Sequence, residues 1–271
     1  MPQPSHRYTH GYSEAVLRAH RWRTAENCAG PLLRYLKPGM ELLDVGSGAG
    51  TITCDLAERA VPTRVTALEV SDTALDLVRR EAASRGLTNL AFTVGDCHEL
   101  PIDDNTFDLV HAHQVLQHVT DPVKSLAEMA RVCRPGGVVA ITDADYGGFR
   151  WYPPSAALDR WLQLYEAVAR ENGGHPDAGR RLLSWARQAA LSDVEVSSSA
   201  WCFATPQDRA WWSTTWAERF TDSAISQQLR ESGLATQREL AEIAEAWHGW
   251  AAAEDGWFNV PHGTLLVHVH E

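Results

Sequence analysis

Leu42-Leu43-Asp44-Val45-Gly46-Ser47-Gly48-Ala49-Gly50-Thr51-Ile52-Thr53 reads as a short apolar strand running into a glycine-rich turn and then into a helix. Glycines at 46, 48 and 50 let a ligand approach the backbone, and the N–H groups opening the next helix attract a negative group. A ligand bearing a carboxylate suits such a turn. The NAD-type fingerprint asks for GxGxxG, whereas this turn is GxGxG with Asp44 two residues ahead of it.

Outward from this turn, short apolar runs alternate with helical stretches, the pattern of a parallel sheet built from βαβ units. Strands are predicted at Glu41–Val45, Arg64–Glu69, Leu90–Val94, Phe107–His111 and Val138–Thr142, and helices near Thr51–Arg59, Asp72–Arg85 and Pro122–Cys133. Ser71 caps the second helix and Gly86 stops it; Asp121-Pro122 opens the third, where the missing proline N–H costs nothing. A sheet of this type opens its ligand crevice at the carboxyl ends of the strands.

Two further chemical signals fall at those ends. Glu69 closes the second strand about twenty residues after the turn, where a carboxylate can accept from both hydroxyls of a ribose. Its position fits NAD and S-adenosylmethionine equally. Gly95-Asp96-Cys97 closes the third strand; Asp96 can accept from an adenine amino group beside the Cys97 backbone, or simply cap a loop.

The stretch resembles the class I S-adenosylmethionine-dependent methyltransferases, and most of all their small-molecule branch related to ubiquinone- and menaquinone-biosynthesis enzymes. The resemblance is carried by LLDVGSGAGTIT (42–53), ALEVS (67–71), GDCHELPIDDNTFDLVHAHQVLQHVTDP (95–122) and RVCRPGGVVAITD (131–143). It implies a Rossmann-like, seven-stranded, mostly parallel α/β sheet with helices on both faces and S-adenosylmethionine as cofactor, released as S-adenosylhomocysteine. It also implies that Gly46, Gly48 and Gly50 hold the amino-acid end of the cofactor, Glu69 the ribose and Asp96 the adenine, with His113 near the sulfonium. Asp44, Ser47, Thr51, Val70, Gly95 and Cys97 complete the expected cofactor site, and Arg23 is a candidate partner for the cofactor carboxylate. Ser47 stands where the family often has Cys or Gly. The DPPY- or NPPY-like tetrapeptide of nucleobase and amide methylation is replaced by His111-Ala112-His113-Gln114.

The flanks read differently. Tyr12 to Leu36 is predicted helical, in one or two pieces. After the core come helices at Ala156–Glu171 and Ala178–Ala190, a strand at Val194–Phe203, three helices between Pro206 and Trp250, and a closing strand at Thr264–His270. The expected architecture is one domain over 1–271. It has a helical cap (1–39), a cofactor core (40–145) and a substrate side (146–271) whose last two strands are separated by a helical lid.

A sulfonium is already a strong methyl donor, so the protein mainly supplies alignment. His113, His118 and Tyr146 are the candidate catalytic groups, histidine being able to take a proton from a hydroxyl, amine or ring carbon. Gln114 and Asp143 are candidate substrate contacts at the crevice rim. Of eleven tryptophans most follow residue 150. They either fill small helical cores or line a pocket for a flat or cationic acceptor; Trp201 and Trp257 are the predicted pocket members, closed from the N-terminal side by Tyr12 and Trp22.

A formal net charge of −11 disfavours nucleic acid and anionic membrane as partners and favours a small molecule. No window has the roughly 18 apolar residues of a membrane span, and Met1–His10 lacks signal-peptide order, so the chain is read as cytoplasmic. Five scattered cysteines without a CxxC pair fit neither a disulfide framework nor zinc, and no metal is expected. The lid helices can also serve a homodimer. An NAD-dependent oxidoreductase and a non-catalytic cofactor-binding protein are the competing readings.

Overall fold

The structure, a computed structural model, describes residues 20–270. Its centre is an eight-stranded sheet: β1 (Leu42–Val45), β2 (Val65–Glu69), β3 (Leu90–Val94), β4 (Phe107–His113), β5 (Cys133–Ala144), β6 (Arg150–Tyr152), β7 (Val194–Phe203) and β8 (Trp257–His268). The order is β3-β2-β1-β4-β5-β8-β6, with β7 pairing the other edge of β8. The first five strands are parallel, and β8 runs antiparallel to β5, β6 and β7.

The helices that return the chain between parallel strands are α3 (Thr51–Ala60), α4 (Asp72–Ser84) and α5 (Pro122–Val132). Their starts follow the sequence signals: Ser71 accepts from Ala74 N–H, and Asp121 accepts from Lys124 N–H ahead of Pro122. Two apolar layers sandwich the sheet. One gathers Leu43, Val110 and Ile141 against α5 and α7 (Ala178–Gln188); the other gathers Leu42, Leu109 and Val138 against α3 and the N-terminal helices α1 (Ala25–Cys28) and α2 (Gly30–Leu33). The N-terminal segment expected as one or two helices is broken where described, because Thr24 caps α1 and Pro31 starts a new turn in α2.

A third core lies beyond the sheet. Helices α6 (Ala156–Glu171), α8 (Pro206–Thr221), α9 (Ala224–Glu231) and α10 (Gln237–Ala252) enclose the fully buried rings of Trp161, Trp216 and Trp247, and Phe258 and Val260 of β8 anchor the cluster to the sheet. Helices α8 to α10 occupy the interval between β7 and β8, the predicted place for a lid. The sheet has one strand more than expected. β6 is only three residues long, and β8 begins seven residues before its predicted start. Pro261 and Gly263 disguise that start, since proline lacks a donor and glycine weakens strand character.

No helix among the described residues is long and apolar enough to cross a membrane.

Candidate active site

A cavity of about 210 Å³ opens at the carboxyl ends of β1 to β4. It is lined by the turn (Gly46, Ser47, Gly48, Thr51), by Glu69 and Val70 after β2, by Gly95 and Cys97 after β3, and by His113 and His118 around the end of β4. Asp44 and Arg23 also reach it. Segments far apart in sequence converge here because each strand ends at the same edge of a parallel sheet.

The turn requires its glycines. Gly46 has φ +70°, and a Cβ there would lie 2.6 Å from Val115 Cγ2; Gly50 has φ +84°, and its Cβ would lie 2.8 Å from the Val78 backbone. Asp44 fixes the turn from beneath: its two oxygens take the Thr53 hydroxyl at 2.5 Å and the His111 ring at 2.7 Å. Glu69 faces the turn across the cleft and accepts the Gly48 N–H at 2.6 Å and the Val70 N–H at 3.3 Å. Burial pushes its carboxyl above the ordinary range, against the pull of those two N–H groups.

Asp96 is exposed and accepts the His98 N–H at 2.9 Å, while its neighbours Gly95 and Cys97 line the cavity. Asp96, Cys97 and His98 bring a carboxylate, a thiol and an imidazole within 4.8 Å. These atoms hold the loop: Cys97 Sγ meets Ser125 Oγ at 3.4 Å and His98 Nε2 accepts the Asp121 N–H at 3.2 Å.

One polar row decides the chemistry of the far wall. Residues paired across neighbouring strands share a face, so Asp44, His111, His113, Thr142 and Thr264 fall on the same side of the sheet. His113 is buried, and neither ring nitrogen has a hydrogen-bond partner. Burial first, and then the Arg23 guanidinium, hold its pKa well below the ordinary value, so the ring is neutral. His118 differs. Gln117 uses its amide oxygen on the Ala144 N–H and turns its amide nitrogen to His118 Nε2 at 3.0 Å, which engages that lone pair.

Behind this wall lies a second, small chamber of about 20 Å³, reached past His20 and Arg23, which line both cavities. Gln114, held at φ +55° with its N–H on Thr142 O, accepts from Arg23 at 2.6 Å and turns its amide nitrogen to His262 Nε2 at 2.9 Å. Burial, then Arg23, lowers the His262 pKa to about 3. Tyr146 lines the chamber, stacked on Phe149 and Tyr165, and its buried hydroxyl titrates above the ordinary value. Trp201 lines it too, and Trp22 packs edge-on against Trp201 with ring centroids 5.0 Å apart. Tyr12 lies outside the described residues.

Two predicted substrate residues are misplaced by the sequence reading, both through strand parity. Trp257 is 40% exposed and lines neither cavity, because Phe258 and Val260 of β8 take the inward face. Asp143 points to the opposite face of β5 from Thr142 and Ala144 and lines neither cavity. It is fully buried, accepts the Gln117 N–H at 3.0 Å, and has one oxygen without a partner. A one-residue step along a strand reverses the face. His20, His262, Trp211 and Arg219 were not singled out from sequence; the alternation Phe258, Val260, His262, Thr264 was the available signal for His262.

Burial raises the Asp143 pKa from 3.8 to about 7, against the hydrogen bonds from Gln117 and Leu116. Between about pH 4 and 7 the folded chain therefore holds a proton that the unfolded chain has released, and stability falls as pH rises through this window. Asp143→Asn is expected to be more stable than the parent at pH 8 by on the order of 1–3 kcal/mol, and nearly equal at pH 4. Thermal melts at the two pH values check this; an equal difference at both would remove the titration account.

The cleft thus offers a carboxylate facing a glycine turn, Gly95 and Cys97 after β3, and a neutral imidazole. The matching family model, described as a methyltransferase domain, spans residues 36–204. The chain is 34% identical over 97% of its length, and 97% of the relative's, to an uncharacterized methyltransferase of Schizosaccharomyces pombe. It is 33% identical to a ubiquinone/menaquinone biosynthesis C-methyltransferase of Idiomarina loihiensis over 48% of this chain and 50% of that one. Its fold matches a Haemonchus contortus phosphoethanolamine N-methyltransferase solved with S-adenosyl-L-methionine, with TM-score 0.62 and 20% identity over 96% of this chain and 58% of the other. With sheet order, glycine turn and near full-length similarity in agreement, this chain belongs to the class I S-adenosylmethionine-dependent methyltransferases.

Proposed function

We propose that the enzyme methylates a hydroxyl, amine or ring carbon of a small aromatic metabolite seated in the tryptophan-walled chamber. The observation that carries this reading is the chamber's position: it shares His20 and Arg23 with the cofactor cleft and is otherwise walled mainly by rings, Trp201, Trp211, Trp212 and Trp216 among them. Rings of this size supply a flat apolar surface at low entropic cost.

In this reading the 46–51 turn receives the amino-acid end of the cofactor, Glu69 the ribose hydroxyls, and the Gly95–Cys97 backbone the adenine side. The residues suit the group: the glycines hold the turn at positive φ against the cavity, where a Cβ at Gly46 or Gly50 would strike Val115 or Val78, and Glu69 has a carboxylate at the cleft whose present partners are only two N–H groups. When bound, S-adenosylmethionine supplies an electrophilic methyl group on a positively charged sulfur, which leaves as a neutral thioether. His113 takes the acceptor's proton as attack develops. Arg23 and Gln114 fix the edge between cofactor and acceptor, and Tyr146 forms part of the chamber floor.

Calorimetric titration with S-adenosylhomocysteine, with NAD and NADP as controls, tests the cofactor half. Methyl-labelled cofactor offered with a panel of phenols, aromatic amines and aromatic acids tests the other half. Micromolar binding of S-adenosylhomocysteine alone and a labelled aromatic product are expected; label transferred only to aliphatic acceptors would refute the aromatic assignment.

A further inference from the structure

The walls of the chamber say which aromatic molecules belong in it. Two buried or half-buried guanidiniums line it: Arg23 lies over the Trp201 ring at 5.8 Å, and Arg219 over the Trp216 ring at 4.9 Å. An aromatic cage for an ammonium group keeps its ring faces open for the ligand's cation. Here the protein's own cations already stand on two of those faces. No carboxylate occurs among the described residues that line the chamber. After burial itself, the charged side chains acting on His20 and Tyr146 include both arginines, and the charged side chain acting on His262 is Arg23.

Arg23 is also incompletely used. One terminal nitrogen donates to the neutral Gln114 amide, while its buried Nε has no hydrogen-bond partner. A guanidinium presents its N–H groups as a planar fork matched to a carboxylate, and leaving a buried donor unmade is costly. The neighbouring imidazoles His20 and His262 are held neutral, so they add no competing charge.

Resting on the methyl-transfer reading above, we propose that the acceptor is an aromatic acid: a flat ring held between the tryptophans, carrying an anionic carboxylate bound by Arg23 and Arg219. A chamber of about 20 Å³ holds little more than one water. The ring therefore enters only by displacing side chains of the lining, of which Trp201 and Trp211 are half-buried and each packs on Trp22, with ring centroids 5.0 and 5.4 Å from it. A cationic acceptor gains nothing from this site, because it would be pressed against two fixed positive charges.

The test uses the full chain saturated with S-adenosylhomocysteine and isothermal titration with 4-hydroxybenzoate and 6-hydroxy-2-naphthoate, each beside its methyl ester, and with tyramine as the cationic phenol. At least one acid is expected to bind about 10-fold or more tightly than its ester, with tyramine the weakest. Arg23→Gln is expected to erase that ratio, its S-adenosylhomocysteine affinity being measured alongside because Arg23 also lines the cofactor cleft, and Arg219→Gln, at a residue that lines the chamber alone, to reduce the ratio with S-adenosylhomocysteine affinity kept if the variant folds. If S-adenosylhomocysteine itself does not bind, the methyl-transfer reading fails. If it binds but the esters or tyramine match the acids, if none of the five binds, or if Arg23→Gln keeps the ratio, the aromatic-acid assignment is overturned.

Discussion

Glu69→Ala is expected to weaken S-adenosylhomocysteine binding by about 100-fold or more, with little change in the melting temperature of the ligand-free chain. The carboxylate ends β2 and faces the glycine turn, accepting N–H groups from Gly48 and Val70. Each hydrogen bond to a charged acceptor contributes about 1.5–3 kcal/mol, and a ribose presents two hydroxyls to it. The substitution also frees the Gly48 N–H, which water in the open cleft can satisfy, so the fold loses little. Glu69→Gln keeps one acceptor oxygen and should fall between the two. Calorimetry decides it: unchanged affinity in both variants would detach Glu69 from the cofactor and move the ribose elsewhere in the cleft. Because burial raises the Glu69 pKa, affinity should also decline on acidification before an ordinary exposed glutamate would protonate.

His113→Ala is expected to lower kcat by about 100-fold while cofactor affinity changes little, equivalent to about 2.7 kcal/mol of transition-state stabilisation. Among the described residues, His113 is the one histidine of the cleft wall whose two ring nitrogens are both buried without a partner, whereas the His118 lone pair is engaged by Gln117. A buried polar group left unmade costs stability, so its retention at the cleft points to a partner that arrives with the reaction. Its pKa is held below the ordinary 6.5 by burial and by Arg23, so the neutral form persists across neutral pH. The kcat profile should consequently show no loss of activity on going from pH 8 to pH 6.5 that traces to this group. His118→Ala should be the milder change. Single-turnover rates for both variants separate the roles, and a His113→Ala enzyme with parental kcat would leave the imidazole as wall only.

The local signals in the sequence were enough for the cofactor half of the molecule. The βαβ order, the glycine turn, the acid ending β2 and the caps of α4 and α5 are each contained within a few consecutive residues, so short-range sterics and hydrogen bonding specify them. Even the long β7 was legible, although residues 195–200 are all exposed and its end at Trp201 and Phe203 turns into the protein. The missed elements were those whose local chemistry speaks against them. β6 is too short to show a period, and the start of β8 runs through Pro261 and Gly263.

What only the tertiary structure decided is the ring-walled chamber beside the cleft. Gln114 meets His262 across 148 residues, and Trp201 reaches the Asn27 carbonyl across 174. No periodicity can announce such pairings. They depend on the register of β8 between β5 and β7, which turns Phe258, Val260 and His262 inward and leaves Trp257 outside. The same parity sends Asp143 beneath the 114–119 segment, where it accepts the Gln117 N–H, while Ala144 faces the chamber. Composition announced the many tryptophans, but packing alone determined that Trp161 and Trp247 fill a core while Trp201 and Trp211 stand beside arginines at a cavity. The sequence by itself determined the βαβ order and the glycine turn because their information is local. The ring-walled chamber was decided by tertiary structure because side-chain facing is a property of registered strands and packed helices.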